Sequence, residues 1–85
     1  MLSVNTIHQT IDEYNRYHAP EVTVQLSNYD KRSYCMLFTG SFCHTCGFYD
    51  YFEDFKYLLK DHGTNTMIIQ ISETDTGAYV SFQHK

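Results

Sequence analysis

Two stretches decide how this chain folds: Val22-Thr23-Val24-Gln25-Leu26-Ser27-Asn28-Tyr29-Asp30 and Met67-Ile68-Ile69-Gln70-Ile71-Ser72-Glu73-Thr74-Asp75. Each starts as an apolar run rich in β-branched residues and ends in polar turn formers, the pattern of a strand entering a hairpin. Aligned as written, Gln25 meets Gln70, Ser27 meets Ser72, Asp30 meets Asp75, and Tyr34 then meets Tyr79. In the first stretch, over Glu21 to Ser27, strict alternation points Val22, Val24 and Leu26 to one side and Thr23 and Gln25 to the other. The same rule makes Met67, Ile69 and Ile71 the inward set of a strand over Thr66 to Ser72. Asn28 to Arg32 and Glu73 to Gly77 are the turns. A second strand follows from Ser33 to Phe42, with Tyr34, Met36, Phe38 and Phe42 on one face and Cys35, Leu37, Thr39 and Ser41 on the other. A fourth runs from Ala78 to Gln83.

Each hairpin is preceded by a segment of helical period. Val4, Ile7, Ile11, Tyr14 and His18 share one side of the first, with Gln9, Asp12, Glu13 and Arg16 opposite. Ser3 or Asn5 caps its start, and Ala19-Pro20 ends it. The second opens on Asp50-Tyr51-Phe52-Glu53, which has the residue types of a capping box. It carries Phe48, Tyr51, Phe52, Phe55, Leu58, Leu59 and His62 on one broad stripe and stops at Gly63. His18 and His62 stand at corresponding helix ends, where a partly cationic side chain is favoured, one residue out of register with the strand alignment. The predicted fold is therefore α+β in the order αββαββ. One domain spans 1–85, built from two αββ halves, about 3–43 and 48–84. A four-stranded antiparallel sheet with two helices on one face follows. This order is a circular permutation of the ferredoxin-like βαββαβ arrangement, a statement about topology that carries no function.

With 85 residues, the chain buries a modest core, so a bound metal or partner would bear on its stability. The hydrophobic fraction of 42% places it among folded chains rather than disordered tails. Eight Tyr and six Phe exceed what such a core absorbs, so some aromatics are expected at the surface. The net charge of -4, with six basic residues in no sequence cluster, argues against a nucleic-acid partner, which needs Lys and Arg to displace counterions. No apolar run is long enough to span a bilayer, and the first ten residues lack the regions of a secretory signal. Three cysteines form no even disulfide framework, and a reducing, cytoplasmic setting is expected.

Cys43-His44-Thr45-Cys46-Gly47 is the one short motif that carries chemistry. Two thiolates at this spacing reach one metal, and the following Gly relieves the turn, so zinc is the expected cofactor of a knuckle at Cys43 and Cys46. His44 is a candidate third ligand, although a side chain between the two thiols usually points away. Other donors are His62, His18, His8, His84, Cys35 or a second copy of the chain. Along a regular strand Cys35 lies about 26 Å from Cys43, and His62 lies roughly 16 Å away along the helix. A homodimer sharing the site is one way to complete it.

A strand, then C-x-x-C, then a helix resembles the thioredoxin arrangement. That resemblance implies thiol-disulfide exchange, with Cys43 attacking and Cys46 resolving. The sequence departs from it in placing Asp50, Glu53 and Asp54 nearby, in lacking the βαβ unit, and in having Pro20 as its only proline. A third reading leaves both cysteines as ordinary thiols at a strand end.

Two surfaces are candidates for contact. On the second helix, Tyr57 lies opposite the Phe55 stripe among Asp50, Glu53, Asp54 and Asp61, with Lys56 and Lys60 to one side. Such a Tyr anchors a basic partner, or belongs to an ordinary solvated face. The sheet face away from the helices is expected to carry Thr23, Gln25, Cys35, Leu37, Thr39, Ile68, Gln70, Tyr79 and Ser81. Leu37, Ile68 and Tyr79 are more apolar than a wet face needs, which fits a protein partner or a homodimer. No nucleotide loop, nucleophile elbow or H-E-x-x-H motif occurs, so an enzyme is not the expected reading. The chain reads as a small binding domain. The alternatives are a thiol-disulfide redox protein and an inhibitor from a phage or mobile element. In small size, acidity and lack of a catalytic motif it looks like anti-CRISPR proteins as a group.

Overall fold

The alternating and helical spacings bury one connected set of side chains. The computed structural model describes residues 4–19, 21–40 and 48–85. In chain order these form α1 (Val4–His18), β1 (Val22–Tyr29), β2 (Ser33–Gly40), α2 (Phe48–Asp61), β3 (Thr66–Glu73) and β4 (Gly77–His84). The four strands make one antiparallel sheet in the order β1-β2-β4-β3. This is the order obtained when the first strand of a ferredoxin-like unit is moved to the end of the chain. Ile7, Ile11 and Tyr14 of α1 and Phe52, Phe55 and Leu59 of α2 cover the inner row of the sheet, in which Tyr34, Met36, Phe38, Ala78, Val80 and Phe82 are buried. Phe38 is the hub. Its ring centroid lies 4.9 Å from Phe52, 5.7 Å from Phe55 and 5.9 Å from Tyr14, all edge-on. Such edge-to-face pairs add about 0.5–1.5 kcal/mol each beyond the area they bury.

The two halves repeat with a fixed offset. Phe48 follows Val4, Thr66 follows Val22 and Gly77 follows Ser33 by the same 44 residues, and the strand ends keep that spacing. In the central ladder Met36 pairs with Val80, its own counterpart at this offset. The pairs on either side exchange accordingly: Tyr34 with Phe82 answers Phe38 with Ala78. A local dyad therefore passes through the Met36–Val80 pair. The turns obey it too. The Asp30 N–H donates to the Ser33 carbonyl at 3.0 Å and the Thr74 N–H to the Gly77 carbonyl at 2.8 Å. The N–H groups of Gly40 and His84 reach the carbonyls of Thr76 and Arg32 in the opposite turns.

One irregularity corrects the expected phase of β3. Each edge strand carries a bulge, between Leu26 and Asn28 in β1 but between Ile68 and Gln70 in β3, two residues earlier in the common frame. An extra residue in a strand flips the faces of those that follow. Thr66, Ile68 and Ile71 therefore face the helices, whereas Met67 and Ile69 are 45% and 49% exposed. Only between the two bulges do Gln70 and Ile71 occupy the places of Gln25 and Leu26, which is why the sequences align one residue out.

α2 begins at Phe48, two residues before the expected cap. Asp50 instead sits in the first turn, where its carboxylate complements the helix dipole. At the other end Gly63 adopts φ +93°, a conformation that disfavours a side chain. The last carbonyls are then taken by backbone: Leu58 by the His62 N–H, Leu59 by Thr64 and Lys60 by Gly63.

Candidate functional site

Cys43, His44 and Cys46, with the rest of 41–47, lie outside the described residues, as do Ser3 and Pro20. Among the described residues no group of three or more His, Cys, Asp and Glu is placed to hold a metal ion. Cys35 is a free, half-buried thiol on β2. It borders a shallow recess with Asn28, Tyr29, Asp30, Ser33 and Ser81.

The ladders arrange the helix-free side of the sheet in four rows. Thr23, Thr39 and Gly77 form the first. Gln25, Leu37, Tyr79 and Ser72 form the second. Asn28, Cys35, Ser81 and Gln70 form the third, and Ser33, Gln83 and Met67 the fourth. No Asp, Glu, Lys, Arg or His stands in any row, although 19% of the chain is charged. The charges gather at the rim instead, as Asp30, Lys31 and Arg32 at one turn and Glu73 and Asp75 at the other. Leu37 and Tyr79 are cross-strand partners beside the local dyad, so the bulkiest apolar pair occupies the middle of this face. Tyr79 remains 39% exposed. Ile68, expected here from the sequence, packs against the core instead, because the β3 bulge begins just after it. Met67, expected inward from the alternation of its strand, takes part in this outer face instead.

Next to Lys31 and Arg32, an open dish lined by Asp30, Ser33, Ile69 and Gln83 continues the fourth row. The Asp30 carboxylate closes this turn by accepting from the N–H groups of Arg32 and Ser33, each at 2.9 Å, and from the Ser33 hydroxyl at 3.0 Å. Those three donors hold the carboxylate below its usual range, the Arg32 N–H contributing most.

The outer face of α2 is the second candidate surface. Tyr57 is 58% exposed, and the Lys56 ammonium lies 5.2 Å from its ring centroid. Glu53 is bound to Lys56 at 2.8 Å, and this contact raises the pKa of the lysine. Asp54 turns toward α1, 3.9 Å from His18 Nε2. Asp50 and Asp61 are exposed.

Beyond Tyr57, Lys56 and Lys60 meet Asn65, Thr66 and Lys85 around a recess of about 240 Å³. Three of the six basic residues thus converge in space, although they form no cluster in sequence. Thr66 is 3% exposed, and its hydroxyl oxygen is the one buried side-chain polar atom without a hydrogen-bond partner among the described residues.

A third feature joins the helices. The two terminal histidines, read as helix-end residues, also reach reciprocally across to the other helix: His18 to Asp54, and His62 Nε2 to Glu13 at 3.3 Å. His18 stacks flat on Tyr14, with centroids 3.9 Å apart, and its Nδ1 lies 3.0 Å from the Tyr14 carbonyl. The buried Tyr14 hydroxyl donates to the Tyr51 carbonyl at 3.0 Å, and the Tyr51 hydroxyl donates to Glu21. Burial first, then the Asp54 carboxylate, pushes the Tyr14 phenol well above its usual pKa, so it stays a neutral donor. This network is a brace between the helices.

Among the described residues no helix is long and apolar enough to cross a membrane. In comparisons with known proteins, the chain matches no family model, no curated protein and no solved structure.

Proposed function

We propose that this is a protein-binding domain that docks its partner on the helix-free face of the sheet. The observation that carries this reading is the charge-free character of the helix-free face of four adjacent strands in a chain with sixteen charged side chains. A solvent-facing sheet surface has no need to exclude Lys and Glu, whereas the centre of an interface does, because burying an unpaired charge is costly. The face is neutral and hydrogen-bonding, rich in Thr, Ser and Gln, which suits a partner that associates and leaves rather than a permanent core-like contact. Leu37 and Tyr79 sit centrally, where a Tyr anchor is most effective, and the charged turns supply the rim. The −4 charge adds long-range steering toward a basic partner.

The test is site-specific photocrosslinking in cells that express the chain. A photoreactive side chain at position 79 should give a discrete adduct that Leu37→Glu removes, with the circular dichroism spectrum unchanged. The same probe at position 57, on α2, should give none. An adduct at 57 and not at 79 would move the interface to the helix and end this reading. An adduct at 79 of twice the chain mass identifies a second copy as the partner.

A further inference from the structure

The recess between α2 and the start of β3 has no part in the sheet-face reading, and its chemistry is different. Lys56, Lys60 and Lys85 line one small volume together with Tyr57, Asn65 and Thr66. Lys56 is neutralised by Glu53, but Lys60 and Lys85 have no carboxylate partner among the described residues. A lysine in the last helical turn ordinarily serves the final carbonyls. Here the carbonyls of Leu58, Leu59 and Lys60 are already occupied by backbone N–H groups, so that role is taken. Lys85 is fixed beside the recess because its N–H donates to the Asn65 carbonyl at 3.1 Å. The second, independent observation is Thr66. A hydroxyl buried without a partner is uncommon in a folded protein and is explained when a ligand or ion supplies the missing bond.

From this convergence we infer that the recess is a binding site for a small phosphorylated molecule, held through its phosphoryl group. Two uncompensated ammonium charges match the charge of about −1.5 to −2 on a phosphate monoester near pH 7. All three cations are lysines, which act as point charges on a tetrahedral oxyanion. Recognition of a planar carboxylate would favour the fork of an arginine. The Thr66 hydroxyl and the Asn65 and Tyr57 side chains supply neutral donors beside those charges. At about 240 Å³ the space falls below the roughly 300–1,000 Å³ of sites for drug-sized ligands. A single phosphoryl group on a short stem fits this scale. A nucleic-acid backbone would need the extended basic surface that this chain lacks.

Inorganic phosphate and glycerol phosphate, each titrated into the ¹⁵N-labelled chain at constant ionic strength with chloride, test the inference. Saturable shifts confined to the amides of Asn65, Thr66 and Lys85 and their neighbours are expected. Tighter binding of glycerol phosphate identifies an organic monoester as the source, and equal binding identifies free phosphate. Lys60→Glu should weaken either ligand about tenfold or more. Thr66→Val should weaken it several-fold while raising the melting temperature, because it removes an unpartnered buried hydroxyl. A hydroxyl of purely structural importance would instead lower the melting temperature on removal. Lys31→Glu, in the β1–β2 turn and outside the lining of the recess, should leave binding unchanged. Shifts that never saturate, or that Lys31→Glu reduces as much as Lys60→Glu, would reduce the recess to diffuse surface charge. Much tighter capture of a phosphoserine peptide than of either small molecule would overturn the small-ligand assignment in favour of a phosphoprotein.

Discussion

In the first half of the molecule, Asn15 of α1 lays its side-chain amide along the free edge of β1. It accepts from the Val24 N–H at 2.8 Å and donates to the Val24 carbonyl at 3.1 Å, as a neighbouring strand would. The position 44 residues on is Leu59, fully buried, and no side chain among the described residues serves the backbone of Ile68, the counterpart of Val24. Both edge strands are eight residues long and nearly free of charge, so each is a template for unwanted pairing. β1 is sealed by an amide. β3 relies on a bulge moved to its middle, and it leaves Met67 and Ile69 in the open. The repeated plan therefore needs only the buried rows and the crossed turn bonds. Where the plan makes no demand, the halves diverge, and the second half holds the lysine recess.

The sharpest break in the comparison is at the start of the inner strands. Gly77 and Ser33 are counterparts, but a Cβ on Gly77 would lie 1.7 Å from the Phe38 carbonyl oxygen. No flexible side chain is available to yield, so the backbone must move. Gly77→Ala should destabilise the domain by about 3 kcal/mol, the upper end for overpacking. Ser33→Ala should cost about 0.5 kcal/mol, for an exposed hydroxyl bonded to Asp30. Urea denaturation of both variants checks this. Equal losses would mean that the halves are more alike at these positions than the clash implies.

A smaller effect separates the edges. Asn15→Ala removes both bonds to Val24 and should lower stability by about 1–2 kcal/mol. It should also expose a second unguarded edge, seen as concentration-dependent light scattering. If scattering stays flat while stability falls, the amide matters for folding and not for edge protection.

Much of this was legible in the sequence because period and turn chemistry agree. The helical spacing from Val4 to His18, the alternation from Val22 to Leu26, and Gly63 after α2 each left one reading. β3 was misread for a physical reason. Met67-Ile68-Ile69 is a continuous apolar run, which cannot report its own phase, and a bulge leaves no residue signature there. The 44-residue spacing held the missing information, since Val22 and Val24 predict inward places for Thr66 and Ile68. The recess was hidden for another reason. Lys56 and Lys60 are helical neighbours, but Lys85 joins them only because β4 ends beside the start of β3, where Thr66 pairs with His84. The clustered charge is a product of topology, and no scan along the chain finds it.

The gentlest test concerns the two hairpin turns. Asp30 closes the first, and Thr74, its counterpart, closes the second with a hydroxyl that accepts from the Thr76 N–H at 3.3 Å. Only the first turn is therefore closed by a charged acceptor. The Asp30 carboxylate is held below its usual range, chiefly by the Arg32 N–H and then by Ser33, so protonation favours the open turn. The sign follows: its contribution is complete above the unfolded value of about 3.9 and is lost as pH falls through the lower folded value. In an acid titration the amide signals of Arg32 and Ser33 should move together with a midpoint below that of a free aspartate. Asp30→Asn should keep an acceptor in the turn and flatten the response. A midpoint at the ordinary carboxylate value would mean that the three donors do not favour the charged form, and that the two turns are held by backbone alone.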